Sequence, residues 1–294
     1  MTTSTPTWTL ERCLRWTQGY LAARPDAGNP RLDAEVLLAW TLATDRVGLY
    51  TRYDQPLDPE ERARYRLAVR RRAAGEPVAY ITGTREFFGR GFQVDARVLV
   101  PRPETEHLVE AALARLAAHP AAAAHVVDVG CGSGAVAITL ACESPRAQVT
   151  ACDISAPALA VARANAAALA PGALADQRLR FVASDLLAGI SGPATMVVSN
   201  PPYVAHAALD ALPVDVRAFE PALALDGGDD GLDAYRRLLP QAAGLLAPGG
   251  TLLVEMGAGQ AAAVAALAAA DIWRLEETAK DLQGHQRVAV WTRR

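Results

Sequence analysis

The chain has 294 residues, a length that suggests about two domains, and 51% of them are apolar, which favours packed cores over a disordered chain. It carries 29 basic and 32 acidic residues for a net charge of −3, so no global positive field marks it as a nucleic-acid binder. Four scattered cysteines (Cys13, Cys131, Cys142 and Cys152) exclude a disulfide framework, and no run of about 18 strongly apolar residues announces a membrane span.

The alanine stretches Ala121–Ala124 and Ala261–Ala270 are too short or too weakly hydrophobic for such a span. The opening MTTSTPTWTLERCLRW lacks the basic-then-apolar layout of a signal peptide, and a soluble cytoplasmic protein is expected. The charge is unevenly spread. Residues 1–97 hold 15 basic against 12 acidic side chains, and the remainder holds 14 against 20, giving a mildly basic front and an acidic back.

The first 75 residues read as helices. Leu32, Val36, Leu37 and Trp40 recur at helical spacing, with Asp33 and Glu35 on the opposite side. A second periodic stretch runs from Pro59 to about Ala74 and ends at Gly75. Its charge run, Arg70, Arg71 and Arg72, reads as a solvated helix face, with an acidic partner surface as the alternative. Ala79–Thr84 and Phe87–Val100, rich in Tyr, Ile, Phe and Val with intervening glycines, predict a β-hairpin. After Pro101 and Pro103 a helix is predicted over Glu104–Ala118. The acids Glu104 and Glu106 at its start complement the helix dipole.

From residue 125 strands and helices alternate. Strands are predicted at HVVDV, Gln148–Cys152, Leu179–Ala183, Thr195–Ser199, Thr251–Glu255, Trp273–Glu276 and Arg287–Trp291. Helices are predicted at Ala135–Cys142 and Ala156–Leu169. Alternation of this kind implies a mostly parallel sheet covered by helices. The short connection Glu277–Gln286 implies an antiparallel pair at one edge. The division expected is a helical domain over 1–76, a hairpin linker over 77–100 and an α/β domain over 101–294.

Two turns carry the chemistry. Gly130-Cys131-Gly132-Ser133-Gly134 lies where the first strand of the sheet becomes a helix. Glycine there lets the backbone turn sharply and come close to a ligand. The spacing is GxGxG with no following Lys-Ser/Thr, which disfavours a phosphate-binding loop. Asp153 ends the next strand, where a carboxylate can accept both hydroxyls of a ribose. NAD and S-adenosylmethionine both suit that pair of features.

The fourth strand runs into Asn200-Pro201-Pro202-Tyr203, a stiff turn that cannot continue the sheet. An amide or exocyclic nitrogen is a poor nucleophile because its lone pair is delocalised. It becomes competent when two acceptors hold its N–H groups. The Asn200 side-chain carbonyl and the Pro201 backbone carbonyl can supply them, and Tyr203 offers a flat face for stacking. The histidines and cysteines show no metal-ligand spacing, and Cys131 reads as a small residue facing the cofactor region.

With these motifs in view, the sequence resembles the PrmC/HemK family of N5-glutamine methyltransferases that modify peptide-chain release factors. The resemblance covers nearly the whole chain from about Leu32. It includes LDAEVLLAW, RRRAAGEPVAYITGTREFFG, VLVPRPETE, DVGCGSGAVA, SNPPYV, FEPALAL with DGGDDGL, and DLQGHQRV. It implies an α/β fold: a Rossmann-like, seven-stranded, S-adenosylmethionine-dependent methyltransferase domain preceded by a small helical, substrate-recognising domain and a hairpin. The substrate implied is the glutamine of the Gly-Gly-Gln motif in class I release factors.

The same resemblance implies residue roles. Gly130, Cys131, Gly132, Ser133 and Gly134 line the methionine part of the cofactor, and Asp153 holds its ribose. Asp185 and Leu186 flank the adenine, Leu186 standing where some relatives have an aromatic ring. Asn200, Pro201, Pro202 and Tyr203 bind the glutamine, and the PRPETE segment lies beside the active-site mouth.

Three rival readings remain: an N6-adenine nucleic-acid methyltransferase, a methyltransferase acting on a ribosomal-protein glutamine, and a non-catalytic partner-binding protein. The acidic back half argues against the first, which must grip phosphates and extrude a base. LDAEVLLAW and PRPETE look more like the release-factor branch than the ribosomal one. The intact glycine turn, Asp153 and Asn-Pro-Pro-Tyr argue against the third.

Overall fold

The computed structural model describes residues 7–24, 28–119, 123–281 and 283–294. The first six residues of the opening stretch, part of the Ala121–Ala124 run and Leu282 of the closing motif lie outside the described residues. The chain forms two compact units. One comprises the residues up to Gly83 together with Leu212–Phe219, and the other Thr84–Ala211 and Glu220–Arg294.

In chain order the first elements are α1 (Leu10–Ala22), α2 (Pro30–Thr41), α3 (Arg46–Thr51), α4 (Pro59–Ala73) and α5 (Val78–Thr82). There follow β1 (Thr84–Phe87), β2 (Arg90–Gln93), α6 (Glu106–Ala118), β3 (Ala124–Val129), α7 (Ala135–Glu143), β4 (Ala147–Asp153), α8 (Ala156–Leu169), α9 (Pro171–Ala175), β5 (Leu179–Ala183) and β6 (Ala194–Ser199). The last are α10 (Val214–Arg217), α11 (Asp233–Leu245), β7 (Leu246–Glu255), α12 (Ala261–Leu267), β8 (Trp273–Lys280) and β9 (Gln286–Arg293).

The helical unit starts its helices with local chemistry. Asn29 caps α2 ahead of Pro30, and Asp58 and Glu61 form a reciprocal capping box on α4, worth about 1 kcal/mol. Its core collects Leu10, Leu14, Leu37, Leu38, Leu49, Tyr65 and Ile81.

The buried face of α2 differs from the expected one. Leu32 and Trp40 are largely exposed, whereas Glu35 is 2% exposed. Burial is tolerable because the carboxylate is fully engaged. Oε1 accepts from the Tyr50 hydroxyl at 2.5 Å and from Arg31 Nε at 3.0 Å, and Oε2 accepts from Arg46 Nε at 2.8 Å. Burial raises its pKa, but the Tyr50 hydroxyl and the Arg31 and Arg46 guanidiniums together hold Glu35 below the usual glutamate range.

The arginine run is divided in the same way. Arg71 donates to Glu76 at 2.7 Å, and Arg72, largely buried, donates to Asp33 at 2.7 Å and reaches Asp215 of the returning segment at 3.4 Å. Of the three, only Arg70 remains a solvated side chain. The expected strand Ala79–Thr84 is helical through Thr82 and stops at left-handed Gly83. Tyr80 and Ile81 are buried on that turn, so packing overrides their β preference.

In the second unit the seven-stranded sheet has the order β5-β4-β3-β6-β7-β9-β8. The pairs from β5 to β7 are parallel, and β9 lies antiparallel between β7 and the edge strand β8. The central strands β3 and β6 are almost continuously buried because helices cover both faces. The hairpin β1–β2 packs into this unit through Phe87 and Phe92, whose rings meet edge to face at 6.0 Å. Chain direction reverses its crossover at β3, which is flanked by β4 and β6, and that is where doubly wound sheets open a crevice. Among the described residues, no helix is long and apolar enough to cross a membrane.

Candidate functional site

A cavity of about 280 Å³ lies at the carboxyl ends of β3, β4, β5 and β6. Of the residues singled out in the sequence, Gly130, Gly132, Asp153, Asp185, Leu186, Asn200 and Pro202 line it. Cys131, Ser133, Gly134, Pro201 and Tyr203 adjoin these in the chain and do not line it.

The glycine turn is built backward from the sheet. Gly130 and Cys131 donate their N–H groups to the Cys152 carbonyl at 2.8 and 3.0 Å, so β4 fixes the turn leaving β3. Gly130 and Gly132 have φ of +72° and +52°, a region that favours glycine. A Cβ on either would meet no protein atom within 4 Å. The absent side chains therefore leave open space for a ligand where the turn faces the cavity.

Asp153 closes the arrangement. Its Oδ2 accepts from Gly132 N–H at 2.9 Å and its Oδ1 from Ser155 N–H at 2.8 Å. Each oxygen keeps a second lone pair for a bound hydroxyl. The donor set, backbone turn and carboxylate fit the methionine and ribose portions of S-adenosylmethionine.

Cys131 serves the turn through its backbone, since its side chain belongs to the apolar core. Its carbonyl accepts from Gly134 N–H at 2.7 Å. The Ser133 carbonyl is held at 2.9 Å by Asn165, which also clasps the Gln93 backbone of the hairpin. Beneath the turn, buried Asp128 accepts from Ala137 N–H at 3.0 Å and so caps α7 from a distance. Desolvation pushes the Asp128 carboxyl up to about 7, and the Asp153 charge adds to that push. On the far wall Leu186 adopts φ +49°, a strained conformation for leucine, and Asp185 pairs with Arg237 at 2.5 Å at the exposed rim.

The Asn-Pro-Pro-Tyr turn is supported from three directions. Asn200 Nδ2 donates to the Thr105 hydroxyl at 3.1 Å, which brings the PRPETE segment to the site. Gln260, in the loop after β7, donates to the Tyr203 carbonyl at 2.9 Å. The DGGDDGL segment runs alongside. Gly227 N–H donates to the Val204 carbonyl at 2.8 Å, and a Cβ on Gly227 would come within 2.9 Å of both the Pro202 carbonyl and the Tyr203 Cα. Only glycine permits that approach.

Tyr203 is half-buried against the apolar core, and burial pushes its hydroxyl up to about 12. Around neutral pH it is therefore an uncharged ring. Arg102 and Glu106 have structural partners. Arg102 donates to buried Glu220 at 2.6 Å, and Glu106 accepts from Phe88 N–H at 2.8 Å.

Two residues escape motif reading. Thr105 bonds Asn200 across 95 positions of chain, and Glu255, 1% exposed at the end of β7, has a buried Oε2 without a hydrogen-bond partner. The one sequence signal for Glu255 is an acid ending an otherwise apolar strand, TLLVE.

Comparison with known proteins identifies the family. A family model described as PrmC N-terminal domain matches residues 8–83, and one described as methyltransferase small domain matches residues 106–223. The chain is 46% identical over 274 residues to the release factor glutamine methyltransferase of Geobacter sulfurreducens, covering 90% of this chain and 89% of that one. It is also 46% identical over 286 residues to the release factor glutamine methyltransferase of Moorella thermoacetica, covering 96% and 99%. With identity at that level along almost the full length of both chains, this protein belongs to the release factor glutamine methyltransferase family.

Proposed function

We propose that the protein transfers a methyl group from S-adenosyl-L-methionine to the side-chain amide nitrogen (N5) of the glutamine in the Gly-Gly-Gln motif of class I peptide chain release factors. The observation that carries this reading is the state of Asn200. Its NH₂ is committed to Thr105, and Asn200 lines a cavity that also holds the glycine turn and Asp153. Its carbonyl oxygen is then the group available to an incoming amide N–H.

When bound, S-adenosyl-L-methionine supplies an electrophilic methyl carbon on a sulfonium centre. The rest is positioning by this chain. Gly130 to Gly134 leave room for the methionine portion, Asp153 accepts the ribose hydroxyls, and Asp185 and Leu186 wall the adenine. Asn200 Oδ1 and the Pro201 carbonyl accept the two N–H groups of the substrate amide. They turn its nitrogen lone pair toward the methyl carbon, and Tyr203 supports the amide plane. Stiff prolines hold those acceptors without further ordering cost at the moment of reaction. As the N–CH₃ bond would form, the S–CH₃ bond would break; S-adenosyl-L-homocysteine would be the leaving group, and the nitrogen would give its extra proton to solvent, leaving a neutral methylated amide.

In this reading residues 1–76 recognise the release factor, residues 77–100 link, and residues 101–294 carry out the transfer in the cytoplasm. Asn200→Ala tests the assignment. Methylation of purified release factor is expected to fall at least about a hundredfold while cofactor affinity by calorimetry stays near wild type. Near wild-type methylation by this variant would remove Asn200 from the reaction.

A further inference from the structure

We propose that a groove on the helical unit docks an acidic segment of the release factor, with one large apolar side chain inserted beside aromatic rings and carboxylates paired with Arg62, Arg66 and Arg70. The inference rests on the reading that a release factor is the substrate. It adds where, and by what chemistry, the helical unit holds it.

The groove has a volume of about 410 Å³ and runs between α1 and α4. That is room for a large apolar side chain. One wall is aromatic: Trp8, ahead of α1, and Trp16 and Tyr20, one helical turn apart on α1. Trp16 is 50% exposed and stands outside the core of the unit, which Tyr65 and Val69 of the groove floor do join. The other wall is basic. Arg62, Arg66 and Arg70 recur every four residues on α4 and so share one face.

The charge on that wall is unbalanced. Among the described residues no carboxylate lines the groove, and none of the three guanidiniums has an ion-pair or hydrogen-bond partner. Like charges four residues apart on a helix repel. The neighbouring Arg71 and Arg72 are neutralised within the fold, by Glu76 and Asp33. The groove arginines keep their donors for carboxylates that a partner brings, and arginine grips a carboxylate through two parallel hydrogen bonds.

The rings select the kind of acid. Single-stranded nucleic acid is also negative, but its bases need free ring faces on which to stack. Here the faces are engaged. Trp16 and Tyr20 stack on each other at 4.9 Å, the Arg24 guanidinium lies over Tyr20 at 4.6 Å, and the Arg12 guanidinium lies over Trp8 at 5.1 Å. Trp8 and Trp16 meet edge to face. The cluster is a preorganised apolar socket rimmed by cations, which suits an apolar side chain flanked by Asp or Glu. The Gly-Gly-Gln motif carries no charge, so the docked segment is another part of the release factor.

The test is steady-state methylation of intact release factor by the intact enzyme, at saturating cofactor and at low and moderate salt. Arg66→Glu and Arg70→Glu should each raise KM for release factor roughly tenfold, and more at low salt, with kcat and cofactor affinity unchanged. Arg66→Lys keeps the charge and should recover most of that loss. Trp16→Ala should raise KM roughly tenfold at both salt concentrations. Arg64, exposed on α4 and outside the groove, is the control, and Arg64→Glu should leave KM near wild type. Binding of an unstructured RNA oligonucleotide, followed by fluorescence anisotropy, should be weak and indifferent to Trp16→Ala.

Wild-type KM in Trp16→Ala and in both charge reversals would overturn the proposal. So would an equal rise in KM for Arg64→Glu, losses confined to kcat or thermal stability, or tight RNA binding that the groove variants abolish. If wild type itself does not methylate release factor, the substrate reading fails and the docking site with it. A failure of the groove alone leaves wild-type methylation intact, so the two failures are distinguishable.

Discussion

Replacing Asp153 by asparagine is a sharp perturbation because both oxygens already have donors on them. Oδ2 takes the Gly132 N–H at 2.9 Å and Oδ1 takes the Ser155 N–H at 2.8 Å. An asparagine in the same pose must turn its own NH₂ toward one of these N–H groups, donor against donor, whichever way it is flipped. It therefore either loosens the glycine turn or swings away from the ribose position. A hydrogen bond to a charged group is worth about 1.5–3 kcal/mol, which is roughly 10- to 150-fold in Kd.

We expect Asp153→Asn to weaken S-adenosyl-L-methionine binding by that factor in isothermal titration calorimetry. Asp185→Asn breaks only a half-exposed pair with Arg237 and should change affinity several-fold less through loss of that pair. If Asp153→Asn binds within about twofold of wild type, the two-donor argument fails and Asp153 does not organise the cofactor site.

Three further outcomes separate stability from function. Gly134 has φ +82°, and a Cβ there would come within 2.9 Å of Ile138 Cδ1 and 3.2 Å of Ala162 Cβ. Both variants carry the strain of a positive φ, but Gly134→Ala adds a clash and should lower the thermal midpoint further, costing about 1–3 kcal/mol, whereas the new Cβ of Gly130→Ala meets open space and should also weaken cofactor binding. Equal midpoints for the two variants would contradict this.

Glu35→Gln puts an NH₂ among arginine and tyrosine donors and should destabilise the helical unit by about 2 kcal/mol in urea unfolding at pH 7. Because the folded state holds Glu35 below its ordinary value, this contribution is present at neutral pH and lost as pH falls through the lowered value. A variant gap that widens in acid would refute the assignment.

Asp128 has the opposite sign. Its carboxyl is raised to about 7, so the folded state loses stability as pH climbs from the ordinary aspartate value to about 7. Asp128→Asn should therefore be more stable than wild type at pH 8 and gain little at pH 4. A pH-independent difference would count against the raised carboxyl.

The parts of the molecule most legible in the sequence were those where one local rule dominates. Leu179–Ala183 and Ala156–Leu169 have the bounds that periodicity and flanking turns imply. The antiparallel edge pair follows from a connection too short for a crossover.

Sequence pattern and structure part where distant contacts override local pattern. Glu35 looks like a solvent-facing acid until Arg31, Arg46 and Tyr50 surround it. Arg72 looks solvated until Asp33 meets it from α2. Tyr80 and Ile81 look like strand residues, yet their burial is achieved on a helical turn after Pro77.

The candidate site divides similarly. Gly130, Gly132, Asp153 and Asn200 announce themselves because turn chemistry and strand ends are written locally. Thr105 is invisible as a motif, since its meaning depends on meeting Asn200 from a distant part of the chain. The charge run gave no such guide, because two of its three arginines are spent on internal pairs.

The most direct test of the central claim is incubation of the intact protein with labelled S-adenosyl-L-methionine and three acceptors in parallel: purified class I release factor, ribosomal protein and DNA. Label is expected on release factor alone, with peptide mass spectrometry placing one methyl group on the Gly-Gly-Gln glutamine. Label on DNA or ribosomal protein in its place, or on another residue of the release factor, would contradict it.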